Sequence, residues 1–383
     1  MSRLLVLSFS PIASDARVLK QVRLFAAEHE VTTCGYGPAP EGVVEHLRLP
    51  DEAVHWVKDP RWLLTRRYRR VYAGNAAVRA ARELLAGRSF DAVLADDVDT
   101  VPLALELGVP VHADLHEYAP KQNTELRRWR WFVAPYVRWL CREFVTRAAS
   151  VTTVGQGIAE EYERELGIRA EVVTNAAPYA ELEPSPVGGG AGGPLRLVHA
   201  GAALRNRHLE TLVEAAVATR TEVTLDLFLV PNDPGYLAEL RALAAGSDRV
   251  RLHEPLPYPE LVRTLNGFDV GVHVLPPVSF NNAWALPNKF FDFVQARLGV
   301  VVGPSPEMAR LVREHGIGAV AEDFTPAALT AVLDSLTPEQ VAAWKQASHR
   351  AARPLSSDAQ VQIWHRLVTP LLSPPRRDDL PRG

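Results

Sequence analysis

The sequence predicts an α/β protein built from two doubly wound parallel-sheet domains facing across a cleft. Three observations lead there. Short apolar runs alternate with helical patterns along nearly all of the 383 residues. The runs are apolar on both faces, as in Val93-Leu94-Ala95, which suits a parallel sheet covered by helices on both sides. The alternation stops only once before it restarts, between Pro184 and Pro194, where proline, serine and glycine leave nothing for a sheet or helix to build on.

The first strand falls at 3–9. Its core, Leu4-Leu5-Val6-Leu7, is too short for a signal-peptide centre and reads as a buried strand. A helix at 14–29 follows. Further strands fall at 30–36, 91–96, 109–113, 150–154 and 170–174, with helices at 62–87, 99–107, 125–148 and 156–166. After the break, strands at 195–200, 223–230, 249–253, 269–275, 299–303 and 317–321 alternate with helices at 207–219, 234–245, 258–266, 288–297, 306–314, 326–335 and 338–349. A last helix at about 357–370 follows Pro354. The layout is a first domain over 1–183, a flexible linker over 184–194, a second domain over 195–354, a crossing helix over 355–372 and a disordered tail over 373–383.

Composition narrows the function. Forty-two Lys+Arg against 45 Asp+Glu give a net charge of −3, which argues against nucleic acid as a partner. Two cysteines cannot form a disulfide framework and fit a reducing cytoplasm. No run reaches the ~20 apolar residues of a spanning helix. Two segments, 61–70 and 127–132, mix arginine with aromatics. They read either as solvated helix faces with the aromatics turned inward or as a basic surface for peripheral contact with anionic lipid.

Open α/β sheets bind ligands beyond their strand C-termini, so chemistry is sought there. The first strand runs into Ser14, Asp15 and Arg17, either a substrate loop facing the cleft or an ordinary helix cap. The turn after this strand carries no Gly-x-Gly-x-x-Gly, which argues against a dinucleotide-dependent dehydrogenase. Asp96-Asp97-Val98-Asp99 reads either as a carboxylate pair for a nucleotide-bound divalent cation or as a cap for the next helix. Asp114-Leu115-His116-Glu117 brings a histidine flanked by acids to a strand end, suited to hydrogen bonding or proton transfer. In the second half, Gly201-Ala202 opens a small-residue turn with Arg205 and Arg207 behind it, an arrangement that admits a phosphate. A second anion site is placed at Pro287-Asn288-Lys289, with Asp292 one turn on to accept sugar hydroxyls.

Taken together, these residues resemble a glycosyltransferase of the GT-B fold, two Rossmann-like domains, closest to the retaining family 4 (group 1) enzymes. The resemblance spans nearly the whole chain. It rests on the Ser14–Lys20 opening, Asp114-Leu115-His116-Glu117, the Val173-Thr174-Asn175 strand end, Gly201 with its basic loop, and Leu286-Pro287-Asn288-Lys289-Phe290-Phe291-Asp292. It implies transfer of a sugar from a nucleoside diphosphate sugar, a UDP-sugar by preference, to a small-molecule, glycan or lipid-linked acceptor hydroxyl, in carbohydrate biosynthesis. It implies no divalent metal and no cofactor. Position by position, Gly201 would approach the diphosphate, Arg207 stands where the family has a phosphate-binding lysine, and His116 where a family histidine meets the donor sugar. Three positions depart: Trp284 and Asp292 replace the two glutamates of the family's Glu-x7-Glu motif, and Ala202 replaces an arginine, leaving Asn281 or Asn282 to substitute in sugar recognition. Two other readings stay open: a nucleotide-sugar epimerase of the same fold, and a non-catalytic binding or scaffold protein.

Overall fold

The computed structural model describes residues 1–190 and 192–372. The chain forms two compact units. One is Met1–Val173 together with Val361 onward, the other Thr174–Gln360. The tail 373–383 lies outside the described residues.

The first unit holds β1 (Arg3–Pro11), β2 (Glu30–Tyr36), β3 (Glu45–Arg48), β4 (Ala92–Asp96), β5 (Val111–Leu115), β6 (Ser150–Thr153) and β7 (Glu171–Val172). They pair in parallel in the order β3-β2-β1-β4-β5-β6-β7. The second holds β8 (Leu195–Ala202), β9 (Val223–Val230), β10 (Val250–His253), β11 (Val270–His273), β12 (Gly299–Val302) and β13 (Gly318–Val320). These are also all parallel, in the order β10-β9-β8-β11-β12-β13. Each sheet reverses its winding once, between β1 and β4 and between β8 and β11. A doubly wound sheet leaves its ligand crevice at that reversal.

Apolar strands explain the parallel arrangement. β4 and β5 are buried at every position, and Leu4 to Leu7 of β1 are fully buried, because helices cover both faces. In the second unit two separate apolar clusters flank the sheet: Leu195, Leu197, Leu225 and Leu227 on one side, Val198, Phe290, Phe291, Val300 and Val302 on the other.

Three expectations are corrected. The helix anticipated at 62–87 is three: Pro60–Leu64, Tyr68–Ala73 and Ala76–Leu85. Arg66 takes a left-handed backbone (φ 52°), and Asn75 caps the last helix by accepting from Ala77 N and Val78 N, so the chain restarts twice. The helix at 125–148 opens as a π-helical turn over Trp129–Val133, is α over Ala134–Glu143 and tightens to a 3-10 turn at Val145–Arg147. β3 was not anticipated: Glu45-His46-Leu47-Arg48 is short and mostly polar, as an edge strand is.

The Gly/Pro run behaves differently from a free linker. The boundary between units falls at Val173/Thr174, and 184–194 belongs to the second unit. Ser185 Oγ donates to Asn266 O at 2.6 Å and accepts from Lys345 Nζ at 3.0 Å, and Gly188 N donates to Asp269 at 3.2 Å. The glycines turn the chain with positive φ at Gly188, Gly189, Gly190 and Gly192, a use of glycine for curvature rather than looseness. The final helix, Ser357–Leu372, begins in the second unit. From Val361 it belongs to the first, where Trp364, Val368 and Leu372 pack against Leu4, Val6, Val22 and Leu94.

Candidate active site

In the first unit, strands β1, β4 and β5 bring a charged network to the sheet reversal. Asp114, at the end of β5, is fully buried and holds Arg17 bidentately, from Nε and Nη2, both at 2.7 Å. Gln21 Nε2 and Thr152 Oγ1 also donate to it, each at 2.6 Å. Burial opposes ionisation of Asp114, but the Arg17 guanidinium wins and holds the carboxyl well below its ordinary range. His116, just beyond the strand, lies 3.2 Å from Asp96, 3.4 Å from Asp97 and 3.5 Å from Asp114. Its backbone N–H donates to Asp97 Oδ1 at 3.1 Å. Burial works against its charge, yet Asp97, Asp114 and Asp96 raise the imidazole well above its ordinary value. His116 is therefore an imidazolium near neutral pH. Burial pushes Asp96 up to about 7 against the pull of His116, and Asp96 Oδ2 is buried without a hydrogen-bond partner among the described residues.

This geometry sorts the sequence-predicted residues. Asp15 is a cap, accepting from Arg17 N and Val18 N. Ser14 Oγ closes its own turn onto Pro11 O at 3.1 Å. Arg17, expected beside an acceptor, instead points inward: it is buried, donates to Val173 O at 2.7 Å and lies 4.9 Å from the Trp364 ring centre. It holds the core of the first unit together. The Asp96–Asp99 run does not cap the following helix. Thr100 caps the following helix without a side-chain bond. One ligand atom each of Asp96, Asp114 and His116 lies within reach of a common metal ion, and Asp114 also accepts from Arg17, Gln21 and Thr152. The cluster acts as a clamp for a charged histidine.

Beside this clamp lies a cavity of about 610 Å³, within the first unit. Phe9, Trp56, Leu63 and Trp129 form apolar walls, with Asp96 and Asp97 at the polar end.

In the second unit, β8 ends in His199-Ala200-Gly201-Ala202 and β11 in His273, at the other sheet reversal. Gly201 has φ 153°, and a Cβ there would collide with Lys289 Nζ. Lys289, in the first turn of the helix Asn288–Gln295, donates to His199 Nε2 at 3.1 Å. His199 Nδ1 in turn donates to Val272 O at 2.8 Å, which fixes the tautomer and leaves Nε2 to accept. Burial, then Lys289, holds His199 well below its ordinary value, so it is neutral. Burial and neighbouring Arg207 lower Lys289 to about 7, against the pull of Asp292. Arg207 is itself lowered by burial. Neither Arg207 nor Lys289 forms an ion pair among the described residues. Partial burial makes these cations costly, and an incoming anion offsets that cost.

Gly201, Arg207, Lys289 and Asp292 thus share one site. Ala202 ends β8 beside them, and Asn288 is exposed at the helix start. Asn282 Nδ2 is buried with no hydrogen-bond partner among the described residues. Arg205, expected to neutralise phosphate, is turned away: it is exposed, bidentate to Glu239 at 2.7 Å and 3.4 Å from Asp233, which caps the helix Pro234–Ala244. Two residues escaped the sequence reading. His199 and His273 lie in otherwise apolar strands, their rings 5.5 Å apart. Neither ring nitrogen of the buried His273 has a partner among the described residues. A histidine inside an apolar strand run was the available signal.

Residues 17–178 match the family model Glycosyltransferase Family 4. Among curated proteins, none matches the chain. Solved structures share its fold over 97% of its length. They include sucrose-phosphate synthase from Thermosynechococcus elongatus (TM-score 0.70, 12% identity, 99% of that chain covered). Anabaena HepE in complex with UDP-glucose is another (TM-score 0.69, 13% identity, 100% covered). A third is the E. coli trehalose-6-phosphate structure bound with UDP-2-fluoro glucose (TM-score 0.68, 12% identity, 99% covered). The family 4 match thus covers residues 17–178, and the fold shared with these solved structures extends over 97% of the chain.

Proposed function

We propose that the chain transfers a sugar from a nucleoside diphosphate sugar, with UDP as the favoured nucleotide, to an acceptor hydroxyl with retention of anomeric configuration. The observation that carries this is the pair Arg207 and Lys289, two half-buried basic side chains without ion-pair partners among the described residues, with Lys289 set against Gly201, whose φ of 153° disfavours a side chain. Anabaena HepE and the E. coli protein, similar in fold, are described in complex with UDP-glucose and UDP-2-fluoro glucose. The leaving diphosphate gathers negative charge, which Lys289, Arg207 and the amides at the start of helix Asn288–Gln295 meet without reorganising. These cations supply what a divalent ion would otherwise supply, so neither a metal nor a cofactor is required. The leaving phosphate takes the acceptor's proton. His116, already charged, orients a sugar hydroxyl by donating to it and is not the base. The acceptor, a small molecule, glycan or lipid-linked hydroxyl, occupies the cavity beside Asp96 and Asp97. Two free, buried cysteines, Cys34 and Cys141, suit a reducing cytoplasm.

Calorimetric titration with UDP-glucose tests the donor site. Arg207→Ala should bind at least tenfold more weakly and turn over slowly; wild-type affinity and turnover in that variant would sink the assignment. His116→Ala should lower turnover more than donor affinity, and equal losses would move His116 to a purely structural role.

A further inference from the structure

The first unit carries a charge segregation that sugar transfer does not use. Residues 60–82 and 126–142 contain twelve arginines and not one Asp or Glu, in a chain of net charge −3. The two stretches meet in space. Tyr68 packs against Tyr136 and Trp139, with ring centres 5.7 and 5.8 Å apart, and Arg69 reaches Glu143 at 3.2 Å. Arg66, Arg67, Arg69 and Arg70 line one surface groove with Tyr68 and Trp139. Arg66, Arg67, Arg70, Arg127, Arg128 and Arg130 are exposed and form no ion pair among the described residues. Arg67 and Arg70 lie over the Trp62 ring at 5.5 and 4.8 Å, which holds their heads together.

Large apolar side chains stand exposed among these arginines: Trp56 at 64%, Leu64 at 61%, Leu126 at 56% and Trp131 at 69%. The aromatics expected to turn inward here do so only in part: Trp62 and Trp129 are half-buried, but Trp131 is exposed. Guanidinium groups beside exposed Trp and Leu match a lipid interface, where the head groups take the charge and the acyl boundary takes the rings. A nucleic acid would satisfy the arginines but offers nothing to Leu64 and Leu126. Among the described residues no helix is long and apolar enough to cross a membrane, so the contact is superficial.

We propose that this face, the helices Pro60–Leu64 and Tyr68–Ala73 with the turn 126–133, docks the protein on a bilayer containing anionic phospholipid. Charge complementarity identifies the occupant. The inference is independent of the donor assignment, whose residues lie in the second unit.

Co-sedimentation of the full chain with vesicles tests it. Binding is expected to an equal mixture of phosphatidylglycerol and phosphatidylcholine and to be at least tenfold weaker to phosphatidylcholine alone. It should vanish in about 1 M salt, where the screening length is about 3 Å. Arg66→Ser/Arg67→Ser/Arg70→Ser should weaken it about a hundredfold, near fivefold for each charge. Arg127→Ser/Arg130→Ser, in the other stretch, should do the same to a lesser degree, and Leu64→Ser/Trp131→Ser should weaken binding at every salt concentration. UDP-glucose titration of the same variants reports the second unit and should be unchanged, which separates this idea from the donor assignment. Absence of vesicle binding, equal binding to both vesicle types, or full binding by the arginine variants would overturn the proposal. So would capture of single-stranded RNA or heparin without capture of vesicles.

Discussion

Gly201 shows how much one hydrogen atom decides. Its missing Cβ is the space that Lys289 Nζ occupies. Gly201→Ala should leave the fold intact and lower UDP-glucose affinity at least tenfold, measured by calorimetry. Lys289 also sets a pH dependence. Its ammonium is held near 7, so the free site loses its charge as pH rises through that value. Affinity for UDP-glucose, whose diphosphate diester does not titrate there, should fall above neutrality by up to tenfold per unit. His199 and His273 stay neutral in this window and Arg207 stays charged, so the slope belongs to Lys289. Lys289→Arg should flatten it. Asp114 behaves oppositely. Its carboxyl is held low, so the stability it contributes is present above the ordinary carboxylate midpoint of about 4 and is lost only as acid drives the pH below that range. Asp114→Asn leaves Arg17 buried without its anion and should cost about 3–5 kcal/mol in urea unfolding. At this scale the sequence was half legible. Gly201, Arg207, Lys289 and His116 announce themselves by type and place. Arg17 and Arg205 did not, because an arginine aimed at a ligand and one aimed at a buried or neighbouring carboxylate look alike until Asp114 and Glu239 are located.

At the scale of elements, the helix Asn288–Gln295 presents Lys289 only because it lies close against β11. Gly271 makes that approach possible: a side chain there would strike the Phe293 ring. Gly271→Ala should cost about 1–3 kcal/mol by overpacking. By lifting the helix it should also weaken UDP-glucose binding, although residue 271 touches no phosphate. Paired urea and calorimetric titrations check both effects, and loss of stability without loss of affinity would detach the helix position from the site. Strands were the most legible elements. An apolar run such as Val300-Val301-Val302 has few other uses, whereas breaks within helices rest on local backbone events. The stop at Arg66 depends on a left-handed φ in an arginine, for which the sequence carries no sign. β3 escaped because edge strands have little apolar signature.

For the whole molecule, the two-fold α/β alternation was readable apart from edge strand β3 and the breaks within helices, but the glycine run was misleading as a boundary. Composition reveals where regular structure stops and not whether the backbone is tethered, and Ser185 and Gly188 are tethered. The final helix is the counterpart. Trp364 is 1% exposed inside the core of the first unit, and its Nε1 donates to Thr152 Oγ1 at 3.2 Å. Trp364→Ala should cost about 3–5 kcal/mol, read as earlier urea unfolding of the first unit, with the second unchanged. That helix also imposes an order on synthesis. The ribosome releases residues 1–173 long before Trp364, Val368 and Leu372 exist. At ~5–20 residues per second the first sheet waits roughly 10–40 s with one apolar flank open. During that interval a newborn chain is a client for chaperones, and its N-terminal half becomes resistant to proteases only after its C-terminal neighbour has been made.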